Sequence, residues 1–334
     1  MNLKTEITKI HYNKDAKGIL FKVLRFVSLF YGVGSGLKNF LYDKSLIKPK
    51  KVDAHVISVG NLTTGGVGKT PVVAEIVKFA NSKTAIISRG YGGKLSNKNV
   101  NVISDGNTVF YDAKLAGDEP FWLAQNTDAV VITCKDRYKG AKFAVDNFGV
   151  KTIILDDGFQ HRKLGRDFDI VLVDSEKFLG NEQLLPAGPL REGIKSLKRA
   201  NKLVVVSKGI EHSRAEKLSR IISKKLSIST TVCKIEPDVI YNIKTGEILP
   251  QNSEITALCA IGQPEQFFAF LLNYKIKDKI SFDDHHCYTE DEIPSGIVVT
   301  TEKDAVKMKD FNRFDIYALK LKTILDFDIL KNIK

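Results

Sequence analysis

Short apolar runs recur along the chain, each bounded by polar or glycine-rich residues. Residues 56–59, 84–88, 129–133, 152–155, 170–173 and 203–207 have the length and β-branched character of strands. Helical periodicity fills the gaps, as at 71–80, 120–125 and 141–147. Continuously apolar strands that alternate with helices predict a mainly parallel sheet covered on both faces. With right-handed crossovers this is a doubly wound α/β core. Beyond residue 230 the pattern changes. Residues 233–250 hold two alternating stretches around Lys244-Thr245-Gly246 and predict a β-hairpin. A second α/β pattern follows, with strands at 256–261, 279–282 and 297–300, a helix at 264–272, and one more strand and a short helix in the tail 315–334. The expected organisation is an N-terminal helical segment (1–50), a core (51–231), a hairpin linker (232–250) and a smaller α/β domain (251–334).

The first apolar region, "ILFKVLRFVSLFYGVG" from Ile19, is interrupted by Lys22 and Arg25. It reads as too short to span a bilayer. Wound as a helix, Lys22, Arg25 and Ser28 form one narrow polar line on an otherwise apolar surface. Two placements fit: packing on the protein core, or lying in a membrane plane with the basic line toward headgroups. Lys14, Lys17, Lys38, Lys44, Lys48, Lys50 and Lys51 flank the region and suit an anionic surface. Residues 1–18 are polar and lack the form of a signal peptide.

Composition adds limits. The chain has 334 residues, 43% of them hydrophobic, enough for a packed core, and a formal net charge of +12. The basic excess is scattered lysine, which suits anionic lipid, phosphorylated substrate or a generally lysine-rich surface. No helix-turn-helix signature, zinc spacing or aromatic-basic strand motif supports a nucleic-acid partner. Cys134, Cys233, Cys259 and Cys287 form no C-x-x-C pair, so neither a disulfide framework nor a zinc site is expected.

The chemistry begins at "NLTTGGVGKTP", residues 61–71, directly after a predicted strand and before a predicted helix. Gly65, Gly66 and Gly68 let backbone N–H groups turn inward around phosphate oxygens. Lys69 can reach the β/γ-phosphates, and Thr70 offers a hydroxyl to Mg²⁺. Thr63 stands where the usual P-loop pattern has glycine. In "TIILDDGFQH", Asp156 and Asp157 stand at the C-terminal end of a strand, where an NTPase carries its metal-binding acid. Asp174, ending "DIVLVD", is a rival for that role. Three further clusters look chemical: "SRGYGG" (88–93), "GDEP" (117–120) and "DDHHCY" (283–288). A kinase needs an acceptor for the proton of the attacking hydroxyl, and an Asp with a His nearby would serve. Asp118 is equally well placed to cap a helix. A GTPase switch is a rival reading, but Asn201-Lys202-Leu203-Val204 lacks the Asp of the guanine-reading N-K-x-D motif.

Taken together, "SVGNLTTGGVGKTP", "ISRGYGG", "GDEP", "LDDGFQHRKLGRDFDIVLVD", "LLPAGPLRE", "FDDHHCYTEDEI" and "TTEKDAVKM" resemble the tetraacyldisaccharide 4′-kinases, the lipid A 4′-kinases of Gram-negative bacteria. They run through most of the chain, and Thr63 in place of glycine is a trait of that family. The resemblance implies transfer of the ATP γ-phosphate, with Mg²⁺, to the 4′-hydroxyl of a tetraacyldisaccharide 1-phosphate to form lipid IV-A. It implies a monotopic enzyme, expected to be a monomer, at the cytoplasmic face of the inner membrane. It places the catalytic acid on Asp118, its partner on His285 (or His286, one residue on), and phosphate contacts on Thr63, Thr64, Gly65, Gly66, Val67, Gly68, Lys69 and Thr70. The metal site falls on Thr70, Asp156 and Asp157. Asn61, Arg89, Tyr91, Arg137, His161 and Arg191 match substrate or phosphate positions.

Overall fold

The structure is a computed structural model and describes residues 3–209, 212–262, 264–283 and 286–325. Nine α-helices flank a sheet of twelve strands among these residues. The strands are β1 (His55–Asn61), β2 (Thr84–Ser88), β3 (Asn101–Asp105), β4 (Val130–Thr133), β5 (Thr152–Asp156), β6 (Phe168–Asp174), β7 (Lys202–Lys208), β8 (Ser229–Asn242), β9 (Glu254–Cys259), β10 (Lys275–Ser281), β11 (Val298–Thr301) and β12 (Ile316–Leu325). Their order is β10-β9-β11-β12-β8-β7-β6-β1-β5-β2-β4-β3. The core strands β7, β6, β1, β5, β2 and β4 are parallel to one another. Their side chains are buried on both faces, which is why they read as unbroken apolar runs. This is the doubly wound P-loop arrangement expected from the pattern.

Three features differ from the sequence reading. Strand β3 is an unforeseen antiparallel edge strand on β4. The hairpin is reduced: after the turn at Gly246 a single bridge joins Tyr241 to Ile248. Instead β8 runs for 14 residues, parallel to β7 at its start and antiparallel to β12 at its end. The C-terminal strands therefore continue the core sheet with their direction reversed. The strand expected in the tail 315–334 is β12, and the short helix expected there falls outside the described residues.

The N-terminal segment forms α1 (Leu3–His11) and α2 (Ile19–Asp43). Helix α2 has 25 residues and, at about 1.5 Å per residue, is about 38 Å long. It is long and apolar enough to cross a membrane, contrary to the length read from the sequence. The difference arises because Gly34 and Gly36 do not end the helix, which runs on to Asp43. Its orientation on the protein also differs from a simple amphipathic helix. Leu20, Phe21, Leu24 and Leu41 are half-buried, but the specific ties to the protein are polar. Ser28 Oγ lies 2.9 Å from the Leu184 carbonyl and accepts the Ala187 N–H at 3.0 Å. Tyr31 donates to the Arg191 carbonyl, and Lys38 to the Gln160 carbonyl. Ile19, Phe26, Phe30, Val33 and Leu37 are exposed. The helix is docked through Ser28, Tyr31 and Lys38, while Lys22 and Arg25 of the expected polar line stay exposed, as does much of its apolar surface. Replacing Ser28 with alanine leaves the Ala187 N–H without its acceptor, a loss of about 1–3 kcal/mol for a buried donor. Hydrogen exchange should then quicken in 19–43 and 184–192 while the β1–β5 amides keep their protection.

Candidate active site

Helix α3 (Lys69–Lys78) starts directly after the glycine-rich loop, with Gly68 in the left-handed region (φ 90). A Cβ there would lie 2.8 Å from Ile235 Cδ1, so the position demands glycine on two counts. The loop backbone turns under the end of the sheet, and the helix N-terminus points at the crevice where an anion is favoured. Val67 is buried and anchors the loop to the core. Thr70 is the second residue of α3 and half-buried.

The first residues of the loop are braced from outside. Thr63 bridges Leu190, the Thr64 N–H donates to the Pro189 carbonyl at 2.8 Å, and the Arg191 N–H donates to the Leu62 carbonyl. The Thr64 amide is thereby engaged within the chain. Thr63 pairs with a neighbouring segment here, a place where glycine's freedom is not needed. Asn61 is buried and also serves the loop. Its Nδ2 donates to the Thr63 carbonyl at 2.8 Å, and its Oδ1 accepts from Lys69 Nζ at 3.2 Å.

Strand β5 delivers the two aspartates in different directions. Asp156 is its last residue, paired in register with Val59. Asp157 follows with φ 54, a left-handed conformation that asparagine and aspartate tolerate best among non-glycine residues. The Asp157 carboxylate takes both Arg191 Nη1 contacts (2.9 and 2.8 Å) and lies 3.6 Å from Lys69 Nζ. Burial pushes its carboxyl up, but Lys69 and Arg191 outweigh this and hold it below the usual range. Asp156 is driven the other way. Burial first, then the nearby Glu119 carboxylate, raise it to about 7 against the opposing charge of Lys69. Its Oδ2 accepts from Ser88 Oγ at 3.1 Å, while its buried Oδ1 has no hydrogen-bond partner among the described residues. An orphaned carboxylate oxygen at the mouth of a phosphate loop fits a hard cation that also takes phosphate oxygens.

The remaining predicted residues fall around this pair. Arg137 opens α6 (Arg137–Phe148) and is buried; burial lowers its guanidinium, and Asp156 and Asp157 act against that. His161 is lowered to about 4 by burial and by Arg137, so its ring is neutral at neutral pH, with an unpartnered buried Nε2. Arg89 and Tyr91 are exposed on the loop after β2. That loop packs backbone to backbone on the turn between α4 (Ala113–Ala116) and α5 (Asp118–Asn126). A Cβ on Gly117 would lie 2.6 Å from the Tyr91 carbonyl, and one on Gly93 2.6 Å from that of Leu115. This close approach is what the glycines of "SRGYGG" and "GDEP" permit. Asp118 begins α5, and its Oδ2 lies 3.3 Å from Lys307 Nζ and 3.8 Å from Lys303 Nζ. His285 lies outside the described residues. His286 is half-buried, stacks on Phe282 and contacts Glu292 at 3.1 Å.

Asp174, the rival acid, is engaged in the fold. Its Oδ1 accepts the N–H groups of Glu176 and Lys177, and its Oδ2 lies 3.4 Å from Lys208 Nζ. Lys208 also donates to the Gly66 carbonyl at 2.6 Å. Lys208, Ser88 and Glu119 had no role in the sequence reading. They reach the site from three different elements; Ser88 and Glu119 lie inside "SRGYGG" and "GDEP", whereas no local motif marks Lys208.

Comparison with known proteins gives the family. The chain matches the family described as tetraacyldisaccharide-1-P 4′-kinase over residues 20–333. It is 35% identical to a tetraacyldisaccharide 4′-kinase of Halothermothrix orenii, covering 90% of this chain and 85% of that protein. It is 37% identical to one of Chlorobaculum parvum, covering 86% and 84%. A solved LpxK structure from Aquifex aeolicus, in complex with ATP, is similar at a TM-score of 0.77 and 32% identity over 93% of this chain and 96% of that one. A phosphate loop, a split aspartate pair and a match of this extent lead to one conclusion: the chain belongs to the tetraacyldisaccharide-1-P 4′-kinase family.

Proposed function

We propose that the chain transfers the γ-phosphoryl group of ATP to the 4′-hydroxyl of a membrane-held tetraacyldisaccharide 1-phosphate, giving lipid IV-A. The carrying observation is that one loop, residues 184–192, contacts both the phosphate loop and the outward-facing apolar helix α2. A lipid-anchored acceptor and a soluble nucleotide need such an adjacency. Because α2 contacts residues 160, 184, 187 and 191 along its length, it suits an in-plane position at a cytoplasmic membrane surface, as a peripheral attachment. Anionic lipid and the substrate 1-phosphate would meet the basic flanks.

In this reading Lys69 and the loop N–H groups hold the nucleotide phosphates. Thr70 and Asp156 hold Mg²⁺, and Asp157 orients Lys69 and Arg191. When bound, the metal neutralises charge on the phosphates. Asp118 accepts the hydroxyl proton as the oxygen bonds to the γ-phosphorus and the bond to the β-phosphate oxygen breaks, releasing ADP. Arg137, Arg191 and the exposed Arg89 and Tyr91 bind phosphate or sugar, and neutral His161 accepts or donates one hydrogen bond. The core (51–231) and the smaller lobe (251–334) work as two parts that meet at Asp118, joined through β8.

With radiolabelled γ-phosphate and lipid acceptor, label should appear in lipid; release only as inorganic phosphate would favour a switch ATPase instead. Lys69→Ala should abolish transfer. Asp118→Ala should retain ATP binding and lose turnover by a factor on the order of 10² or more; normal turnover would remove Asp118 from the mechanism. Metal affinity should depend on pH. Because Asp156 is raised to about 7, the metal competes with a proton below that value. Apparent Mg²⁺ affinity should fall as pH drops below about 7 and level off above it. Asp156→Asn should flatten that dependence in a metal titration followed by nucleotide fluorescence.

A further inference from the structure

The segment "TTEKDAVKM" has no part in the chemistry described so far. Its geometry gives it one. Thr301 ends β11 and caps α9 (Glu302–Ala305), accepting the Asp304 N–H at 3.1 Å and donating to Asp304 Oδ2 at 2.9 Å. The same Asp304 oxygen accepts the Ala260 N–H at 2.9 Å, and the residue is fully buried. Asp304 is thus fixed from three directions. One turn later comes Lys307. Its Nζ lies 3.5 Å from Asp304 Oδ1 and 3.3 Å from Asp118 Oδ2, and donates to the His286 carbonyl at 3.1 Å.

An ammonium has three protons, and these acceptors come from three separate segments. One is the first residue of α5 in the core. One is the rigid Asp304 of the smaller lobe. One is the backbone of the "DDHHCY" loop. The Lys307 side chain is only 12% exposed, as is that of Asp118, so water screens the pair weakly. The buried Asp304 Oδ1 has no hydrogen-bond partner among the described residues, and the Lys307 charge is what faces it. A lysine that served only to fill space would not leave its ammonium between two carboxylates and a loop carbonyl.

We propose that Lys307 is a positioning residue for phosphoryl transfer, whose ammonium locks the Asp118 carboxylate and the His286 backbone into one arrangement. The proposal rests on the reading of Asp118 as the proton acceptor. It makes the approach of the smaller lobe a condition for a competent Asp118. Lys303, 3.8 Å from the same carboxylate, adds a second positive charge from α9. Among the elements packed on α5, α3 carries Lys69, Glu75 and Lys78, α4 carries Lys114, β3 carries Asp105, and α9 also carries Glu302, which is hydrogen-bonded to Trp122. On α5 itself, Glu119 acts on Asp156.

The test is a double-mutant cycle on the full chain with Lys307→Met, Lys307→Arg, Asp118→Asn and the pair Lys307→Met/Asp118→Asn. Transfer of labelled phosphate to the lipid acceptor is measured from about pH 5 to about pH 9, with ATP binding measured in parallel. Lys307→Met should lower kcat by about 10- to 100-fold and leave ATP affinity within about twofold. Its acid limb should move up by about one pH unit, because a carboxylate that loses a close cation binds its proton more tightly. Lys307→Arg keeps the charge and should keep the acid limb in place even where its rate falls. In the Asp118→Asn background, Lys307→Met should cost less than about twofold, since its effect runs through Asp118. An unmoved acid limb in Lys307→Met, or an equal loss in both backgrounds, overturns the role of Lys307 and leaves Asp118 standing. Normal turnover in Asp118→Asn overturns the reading of Asp118 itself and the Lys307 inference with it. Should Lys307→Met fail to bind ATP, the acid limb of Lys307→Arg decides alone: displaced by a unit or more, it overturns the proposal.

Discussion

The site depends on one shared carboxylate. Asp157 is held by Arg191 at 2.8 Å and faces Lys69 at 3.6 Å, so the phosphate-loop lysine, the strand β5 terminus and the 184–192 loop are tied at a single point. Two cations on one half-buried carboxylate keep it ionised despite burial. A carboxylate so paired is a poor metal ligand and a good anchor. Its neighbour Asp156, left with a single hydroxyl donor and another acid nearby, has the opposite disposition. The divergence of the two groups follows from one residue of left-handed backbone between two otherwise identical side chains.

From that anchor the mechanical connections spread outward. Arg191 lies in the loop that pairs with Leu62 and Thr64, so whatever orders the phosphate loop orders this segment too. The same loop receives Ser28 and Tyr31 of α2, and the Pro186 carbonyl contacts His11 Nε2 at 2.9 Å. The apolar helix is thus fixed to the phosphate loop's neighbour through a few hydrogen bonds between its side chains and backbone groups. Polar contacts hold it without consuming its apolar face, which stays available to another apolar phase.

On the opposite side the connection is electrostatic. Asp118 stands at the start of α5, where a helix N-terminus favours a carboxylate, and two lysines of the smaller lobe converge on it. The continuous sheet, reversed in direction between β8 and β12, carries that lobe to the correct end of the core. Both sets of strands then contribute to one rim although they run in opposite directions.

Much of this was legible in the chain. The buried strands β1, β2, β4, β5, β6 and β7 announced themselves because parallel strands covered on both faces must be apolar throughout. The glycine-rich turn into α3 was legible because Gly65, Gly66 and Gly68 form a contiguous, permissive run between an apolar strand and a helix. Less local features were not. Nothing in "SLF" says that Ser28 faces inward, because a helix shows its faces but not which neighbour each one meets. Strand β8 read as half of a hairpin because alternation does not name its partner, and β12 lies more than 70 residues downstream. Lys208 and Ser88 entered the site through contacts that depend on where the sheet order places β7 and β2, and Lys307 from the turn after α9, far from Asp118 in sequence. By itself the sequence determined which residues can bury, turn and bind phosphate, since these are properties of single side chains and short runs. Only the tertiary structure decided which charges share a carboxylate, since Coulomb energy and burial depend on separations of a few ångströms that arise when distant segments meet.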